Sequence, residues 1–145
     1  MTDITLAHAQ KLITVALECA RAQKMNPLGV VVLDARGALK AYAAEDFVSL
    51  KRFDIAQAKA AGALAMGMGS RALAKRAREM PHFINALSGI VDGKLMPVPG
   101  GVLVRDAGGR IVGAVGVSGD SSDNDEIAAK AGIEAIGLVA DPGQD

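Results

Sequence analysis

The glycines between Pro97 and Ala129 constrain this chain most. One glycine pair, Gly100-Gly101, opens an apolar run, and a second pair, Gly108-Gly109, lies between that run and the next. Two short apolar runs joined by a glycine turn are typical of a β-hairpin. The sequence therefore predicts a hairpin of strands 102–104 and 110–117. Because an acidic helix start follows it closely, open backbone and carboxylates should lie near each other. A small-ligand pocket can be built in this way without aromatic or metal-binding side chains.

Hydrophobic periodicity places helices around this hairpin and around an earlier one. We predict a helix over 5–24, strands over 28–33 and 39–43, helices over 49–68 and 70–79, a helix or turn over 82–88, a short strand within 90–96, and a last helix capped by Ser122 or Asp123. Hairpins imply antiparallel pairing, so we expect an α+β fold in which helices pack on an antiparallel sheet. We expect a single domain over residues 1–145 with a flexible tail at 140–145.

The composition indicates a core of small aliphatic side chains. Half of the residues are hydrophobic, but aromatic residues make up 3% and Trp is absent. Such a chain has apolar surface to bury between subunits, so we expect a homo-oligomer. The sequence starts with no basic and apolar leader, and its apolar runs are too short to span a bilayer. We therefore expect a cytoplasmic protein with no membrane partner.

The charges are balanced overall but unevenly distributed. The formal net charge of zero gives no indication of nucleic-acid binding. Residues 51–80 hold seven basic and two acidic side chains, whereas residues 120–145 hold seven acidic side chains and Lys130. Both segments could be solvated helix faces. Alternatively they pair with each other within or between subunits, or the basic segment forms a lip for an anionic ligand.

The residues allow one acid–base pair and no convincing metal site. Lys59 could work with Asp125 or Glu126, since a lysine beside a carboxylate in a partly apolar cleft can have a shifted pKa. An ordinary structural ion pair is the alternative. His8, His82 and Cys19 lack metal-ligand spacing. His8, or a methionine (Met66, Met68 or Met96), could still serve as a haem axial ligand.

Several segments resemble the GlcG/HbpS family of haem-binding or haem-degrading domains, which is similar to the C-terminal part of PduO-type proteins. Residues 111–119 (IVGAVGVSG) match the family's IGAIGVSG strand, and residues 125–132 (DEIAAKAG) match its DE-x-x-A-x-x-G helix. Weaker matches are 30–37 (VVVLDARG), 56–60 (AQAKA) and the 98–101 turn (VPGG). The chain departs from the family at residues 44–46, where Arg-Met-Asp is common, and at Leu103, where Pro is common.

The resemblance implies a profilin- or PAS-like α+β domain that assembles into dimers and higher oligomers, up to octamers. It also implies a protein that binds haem, a related tetrapyrrole or a small anionic metabolite. Arg52 and Lys59 would then face the ligand carboxylates, Gly100, Gly101, Gly116, Ser118 and Gly119 would line the cavity, and His8 would be a possible haem axial ligand. The alternatives are a small catabolic isomerase, hydratase or lyase that uses Lys59 with Asp125 or Glu126, and an accessory protein without a ligand.

Overall fold

The computed structural model describes residues 3–145, and over this range it forms five helices and a five-stranded sheet. In chain order the elements are α1 (Leu6–Ala22), β1 (Gly29–Asp34), β2 (Leu39–Ala44), α2 (Arg52–Met66), α3 (Ser70–Glu79), α4 (Pro81–Ile90), β3 (Gly101–Arg105), β4 (Ile111–Ser118), α5 (Ser122–Ala135) and β5 (Val139–Asp141). The α+β class predicted from the sequence is confirmed.

The strands pair in the order β2-β1-β4-β3-β5, and each pair is antiparallel. β1 and β4 are central and almost wholly buried, as expected for runs rich in Val. At one position of the sheet Gly116 of β4 pairs with Val31 on one side and with Gly101 on the other. Two of the three residues in this row of the sheet, near the end of β4, therefore have no side chain.

Helices cover both faces of the sheet. α1 and α5 pack on one face around Leu12 and Ile133, and α2 packs on the other through Ala56, Ala60 and Ala63. A Cβ at Gly116 would lie 1.8 Å from the carbonyl oxygen of Ala56, so glycine is what allows α2 to lie this close to the sheet. The small-residue core predicted from the composition is present, and α2 is drawn tightly against β4.

Two local predictions were wrong. The predicted strand within 90–96 does not form, because α4 runs to Ile90 and the chain then turns at Asp92 and Gly93 with positive φ. The last helix is capped by Ser121 and not by Ser122 or Asp123. Ser121 has extended backbone and its hydroxyl accepts the N–H of Asn124, whereas Ser122 is already helical.

The segment predicted to be a flexible tail is held against the domain. Val139–Asp141 forms β5 on the edge of β3, and the carboxylate of Asp141 lies 2.8 Å from Nε of Arg105. Farther on, the carbonyl of Pro142 accepts the N–H of Arg71 at 3.2 Å. A strand of three residues is too short to show a hydrophobic pattern in the sequence. Within residues 3–145 no helix is both long and apolar enough to cross a membrane.

Candidate functional site

Lys59 of α2 and Asp125 of α5 form an ion pair inside the protein. Nζ of Lys59 lies 3.0 Å from Oδ2 of Asp125 and donates a second hydrogen bond to the carbonyl of Val117 at 2.9 Å. Both side chains are only 2% exposed. The bond therefore joins the helices on opposite faces of the sheet past the end of β4. We call this pair, with the Val117 carbonyl, the latch.

The latch is closed on every side that the structure describes. The other carboxylate oxygen of Asp125 accepts the N–H of Asp120 at 3.0 Å. Gly100 lies directly against the lysine, with a φ of +118° that favours glycine, and a Cβ there would sit 2.8 Å from Nζ. An ammonium group enclosed in this way has no room for a substrate beside it.

Burial dominates the electrostatics of the latch. Removal from water lowers the pKa of Lys59 although Asp125 beside it favours the charged form. Burial likewise raises the pKa of Asp125 against the attraction of Lys59. Both shifts oppose the charged state, because desolvation of two ions outweighs their mutual attraction. The pair is thus held together by its hydrogen bonds and by the surrounding packing.

Arg52 and Ser118 lie at the same end of the sheet. Nη1 of Arg52 donates to the buried hydroxyl of Ser118 at 3.1 Å, and its Nε donates to the hydroxyl of Ser49 at 3.0 Å. The positive charge of Arg52 also contributes to the lowered pKa of Lys59. The structure therefore brings together Arg52, Lys59, Ser118 and Asp125, as the sequence suggested, but these groups bond to one another.

The candidate ligand-binding glycines sit in crowded places. The N–H of Gly101 donates to the buried hydroxyl of Ser70 at 2.7 Å, and a Cβ on Gly101 would lie 2.3 Å from the carbonyl of Lys59. At Gly119 a Cβ would meet the carbonyl of Pro27 at 2.2 Å. Together with Gly100 and Gly116, these glycines allow neighbouring backbones to approach closely.

Glu126 belongs to a second cluster of charged side chains, which is centred on Arg71. Its carboxylate takes a two-pronged contact from Arg71 of α3, with Nε to Oε1 at 3.1 Å and Nη2 to Oε2 at 2.9 Å. Arg71 also bonds Asp123 and, through Nη1, Asp145 at 3.0 Å. The hydrogen bonds that Arg71 donates to these carboxylates raise the pKa of its already basic guanidinium. The basic and acidic segments of the chain thus pair within the subunit, as one of the sequence hypotheses held.

A cleft of about 640 Å³ opens beside this cluster. Its lining combines apolar groups with charges and comprises Arg71, Ala74, Ala77 and Arg78 of α3, residues 97–99, Ser122 and Asp123 of α5, and Asp145. Arg78 reaches Asp145 at 3.6 Å. The sequence reasoning missed this cleft. The concentration of arginines in residues 71–78 was the available signal, but nothing in the sequence showed that residues 97–99 and the C-terminal segment would face them.

His8 lies elsewhere. The N–H of Ile4 bonds the carbonyl of Val112, so α1 begins beside the start of β4, whereas Lys59 bonds Val117 near its end. Five strand residues separate these points by about 17 Å. Nδ1 of His8 is buried and has no hydrogen-bond partner within the described chain. No group of three His, Cys, Asp or Glu in residues 3–145 is arranged to hold a metal ion.

An antiparallel sheet between helices, with a buried ion pair and a charged cleft beside it, defines the chain as a small α+β domain. Residues 4–134 match the model of a family described as "Haem degrading protein HbpS-like", and the chain belongs to this family. The resemblance predicted from its motifs is confirmed. No curated protein matches the chain.

Solved structures show the same fold. A PduOC:haem complex superposes with a TM-score of 0.85 at 24% identity and covers 98% of this chain and 99% of its own. HbpS gives 0.81 at 29% identity, with 93% and 91% covered. Protein ORFY of Klebsiella pneumoniae gives 0.84 at 22% identity, with 94% and 92% covered.

Proposed function

We propose that this protein binds haem, or a related flat molecule with carboxylate groups, in the cleft beside Arg71 and Arg78. The observation that carries the proposal is the composition of the cleft wall. Ala74, Ala77 and Val98 offer apolar surface, and two guanidinium groups stand at its edge. An amphiphilic ligand needs both, because its body gains from burial and its carboxylates need paired charges.

The described lining of the cleft offers apolar surface and cations for haem, but no side chain that would bind its iron. Its volume of about 640 Å³ is in the range of small-molecule sites. Arg71 and Arg78 would hold the propionates, and haem would supply an iron centre with redox chemistry. Among residues 3–145, those lining the cleft include no His, Cys or Met. We therefore expect binding through carboxylates and apolar contact, with no axial ligand from the cleft wall.

The relatives support this choice of ligand. The family description names haem, and one structural neighbour was solved as a complex with haem. HbpS, at 29% identity, shares the fold over nearly the whole chain. The closed state of the latch also favours the cleft, because a ligand has access to Arg78 but not to Lys59.

A haemin titration followed by the Soret band tests the proposal. We expect saturable binding by the wild type, weakened at least about tenfold in Arg78→Ala, which corresponds to about 1.4 kcal/mol. Arg110→Ala is the matched control, since Arg110 is exposed on the β3–β4 turn, at the end of the hairpin remote from Gly101. Equal affinity of Arg78→Ala and the control would contradict the cleft as the site.

His8→Ala belongs in the same series. If haem instead uses the unpartnered imidazole on α1, this variant loses or shifts the Soret band while Arg78→Ala does not. That outcome would move the site to α1 and overturn the proposal for the cleft. Non-saturating curves for every protein would reject haem as the ligand.

We further propose that the chain self-associates through the loop between β2 and α2. Phe47 is 98% exposed and Leu50 is 89% exposed, although large apolar side chains normally gain by burial. Phe47 also holds a positive φ of 69°, which is uncommon for an aromatic residue and presents its ring outward. Light scattering should show a smaller particle for Phe47→Ser than for Leu39→Ser, which removes an exposed side chain from β2. Equal sizes would contradict the role of the loop.

A further inference from the structure

We infer that the side chain of Asp145 occupies the place that a ligand carboxylate takes, so that the protein's own C-terminal segment competes for the cleft. This inference rests on the proposed function of the cleft as a ligand site. The carboxylate of Asp145 lies 3.0 Å from Nη1 of Arg71 and 3.6 Å from Nη2 of Arg78. The two arginines thus already hold one carboxylate group between them. We call this position the seat.

The seat is prepared by contacts that do not involve Asp145. Glu126, which is buried, fixes the guanidinium of Arg71 through Nε and Nη2 and leaves Nη1 directed at Asp145. Arg78 makes its one ion pair within the described chain to Asp145 and is 63% exposed. A planar, pre-oriented guanidinium beside a second, exposed one is well suited to a carboxylate.

The net charge of the cluster around Arg71 and Arg78 predicts which kind of ligand group can replace Asp145 in the seat. Arg71 and Arg78 face the carboxylates of Glu126, Asp123 and Asp145, so the cluster holds one more negative charge than positive. When Asp145 leaves, the cluster is neutral. A single incoming carboxylate then restores the balance seen in the structure. The seat therefore suits a monocarboxylate, or one carboxylate of a larger ligand, with an apolar body against Ala74 and Val98.

The Asp145 side chain can leave the seat while the backbone before it stays in place, because the Arg71 N–H bonds the Pro142 carbonyl independently of Asp145. The Asp145 side chain is 59% exposed, and an ion pair so exposed contributes little net free energy. β5, the element that precedes Asp145 in the chain, spans three residues. Gly143, between β5 and Asp145, has a φ of +82°. A ligand that brings its own carboxylate and added apolar contact should therefore displace Asp145.

Calorimetric titration with benzoate tests the inference, because benzoate carries one carboxylate on a flat apolar body and no metal. We expect Asp145→Asn to bind benzoate about twofold to sixfold more tightly than the wild type, since the weak internal competitor is gone. Adding Arg78→Ala to Asp145→Asn should abolish that gain. Asp92→Asn is the matched control: it removes one exposed negative charge at a turn where the positive φ of 55° suits Asn.

Three outcomes would overturn the inference: equal affinity of the wild type and Asp145→Asn, an equal gain in Asp92→Asn, or no benzoate binding by either protein. The inference and the proposed function fail separately. Tighter benzoate binding by Asp145→Asn without haemin binding would leave the seat in place and reject haem. Haemin binding that depends on Arg78, with no effect of Asp145→Asn on either ligand, would reject the competition alone.

Discussion

The latch and the cleft use the same chemistry in opposite settings. In the latch, Lys59 and Asp125 are almost fully buried, and burial shifts both pKa values away from the charged forms. Beside the cleft, Arg71 bonds the buried carboxylate of Glu126 and the exposed carboxylates of Asp123 and Asp145, and these bonds raise its pKa. The two regions are adjacent: Gly100 lies against the lysine of the latch, and the residue before it, Pro99, lines the cleft.

The difference shows that a basic residue near a carboxylate is a functional candidate only where a ligand can reach it. Lys59 was the most attractive candidate in the sequence, and the structure gives it three neighbours and no open side. Arg71 and Arg78 belong to no motif in the sequence, yet they line the cleft. Our proposal is that the latch stabilises the fold and that the cleft binds the ligand.

The largest effect should come from breaking the latch on one side. Lys59→Met leaves the carboxylate of Asp125 buried without a cation and should lower the free energy of unfolding by about 3–5 kcal/mol in urea titrations. Lys59→Met combined with Asp125→Leu should recover most of this loss. The recovered double variant should also bind haemin like the wild type. Loss of haemin binding in a stably folded double variant would instead place Lys59 or Asp125 in the functional site.

The glycine packing beside the latch should be almost as sensitive. A methyl group at Gly101 would overlap the main-chain carbonyl of Lys59, which cannot move without shifting α2. We expect Gly101→Ala to lower the free energy of unfolding by about 3 kcal/mol. Gly89→Ala is the control, because a Cβ at this position in α4 meets nothing within 4 Å. That variant should be neutral or slightly more stable. Equal losses in both variants would contradict the close-packing account.

Loss of the arginines that border the cleft should affect stability less. Arg71→Gln removes the partner of the buried carboxylate of Glu126, and we expect a loss of about 1–3 kcal/mol. Arg78→Gln should change stability by less than about 0.5 kcal/mol, since this side chain is mostly exposed. Thermal unfolding of both variants checks this order. A large loss for Arg78→Gln would show that the cleft, like the latch, is a structural feature.

The smallest effect concerns acid pH. The pKa of Asp120 is lowered because its carboxylate accepts the N–H of Asn26 and the side-chain amide of Asn124. The unfolded chain therefore binds this proton more readily, so the stabilisation is present above about pH 4 and is lost as the pH falls through the lowered folded value. In urea titrations from pH 6 to pH 3, Asp120→Asn should lose less stability than the wild type. Parallel curves would contradict this.

Much of the fold could be predicted from the sequence, because its signals are local. Apolar periodicity and glycine turns gave α1, the two hairpins and the helices between them within a few residues. β5 was missed because three residues with one strong β-former carry no periodicity, and their partner strand is determined by the tertiary fold. The predicted strand within 90–96 failed since the apolar pattern of 84–91 continues a helix instead.

The site was predictable only in part, for a physical reason. The spacing of Lys59, Ser118 and Asp125 does not reveal whether they face solvent, because burial depends on how α2, β4 and α5 close over one another. The cleft depends on four segments that are separated in the sequence: α3, residues 97–99, the start of α5 and Asp145. The opposite charges of residues 51–80 and 120–145 indicated that the two segments pair, but not which basic residue bonds which carboxylate.

The pairing of β5 with β3 connects ligand binding in the cleft to an edge of the sheet that lies outside the cleft. Leu103 and Arg105 of β3 lie opposite Asp141 and Val139, and the chain from Asp141 to Asp145 connects this ladder to the seat. When Asp145 is displaced, one anchor of the segment that follows β5 is lost, while the bond from the Arg71 N–H to the Pro142 carbonyl remains. Amide hydrogens at the β3–β5 edge should then exchange with solvent faster, so ligand occupancy would appear as a change in exchange rate at an edge strand that does not line the cleft.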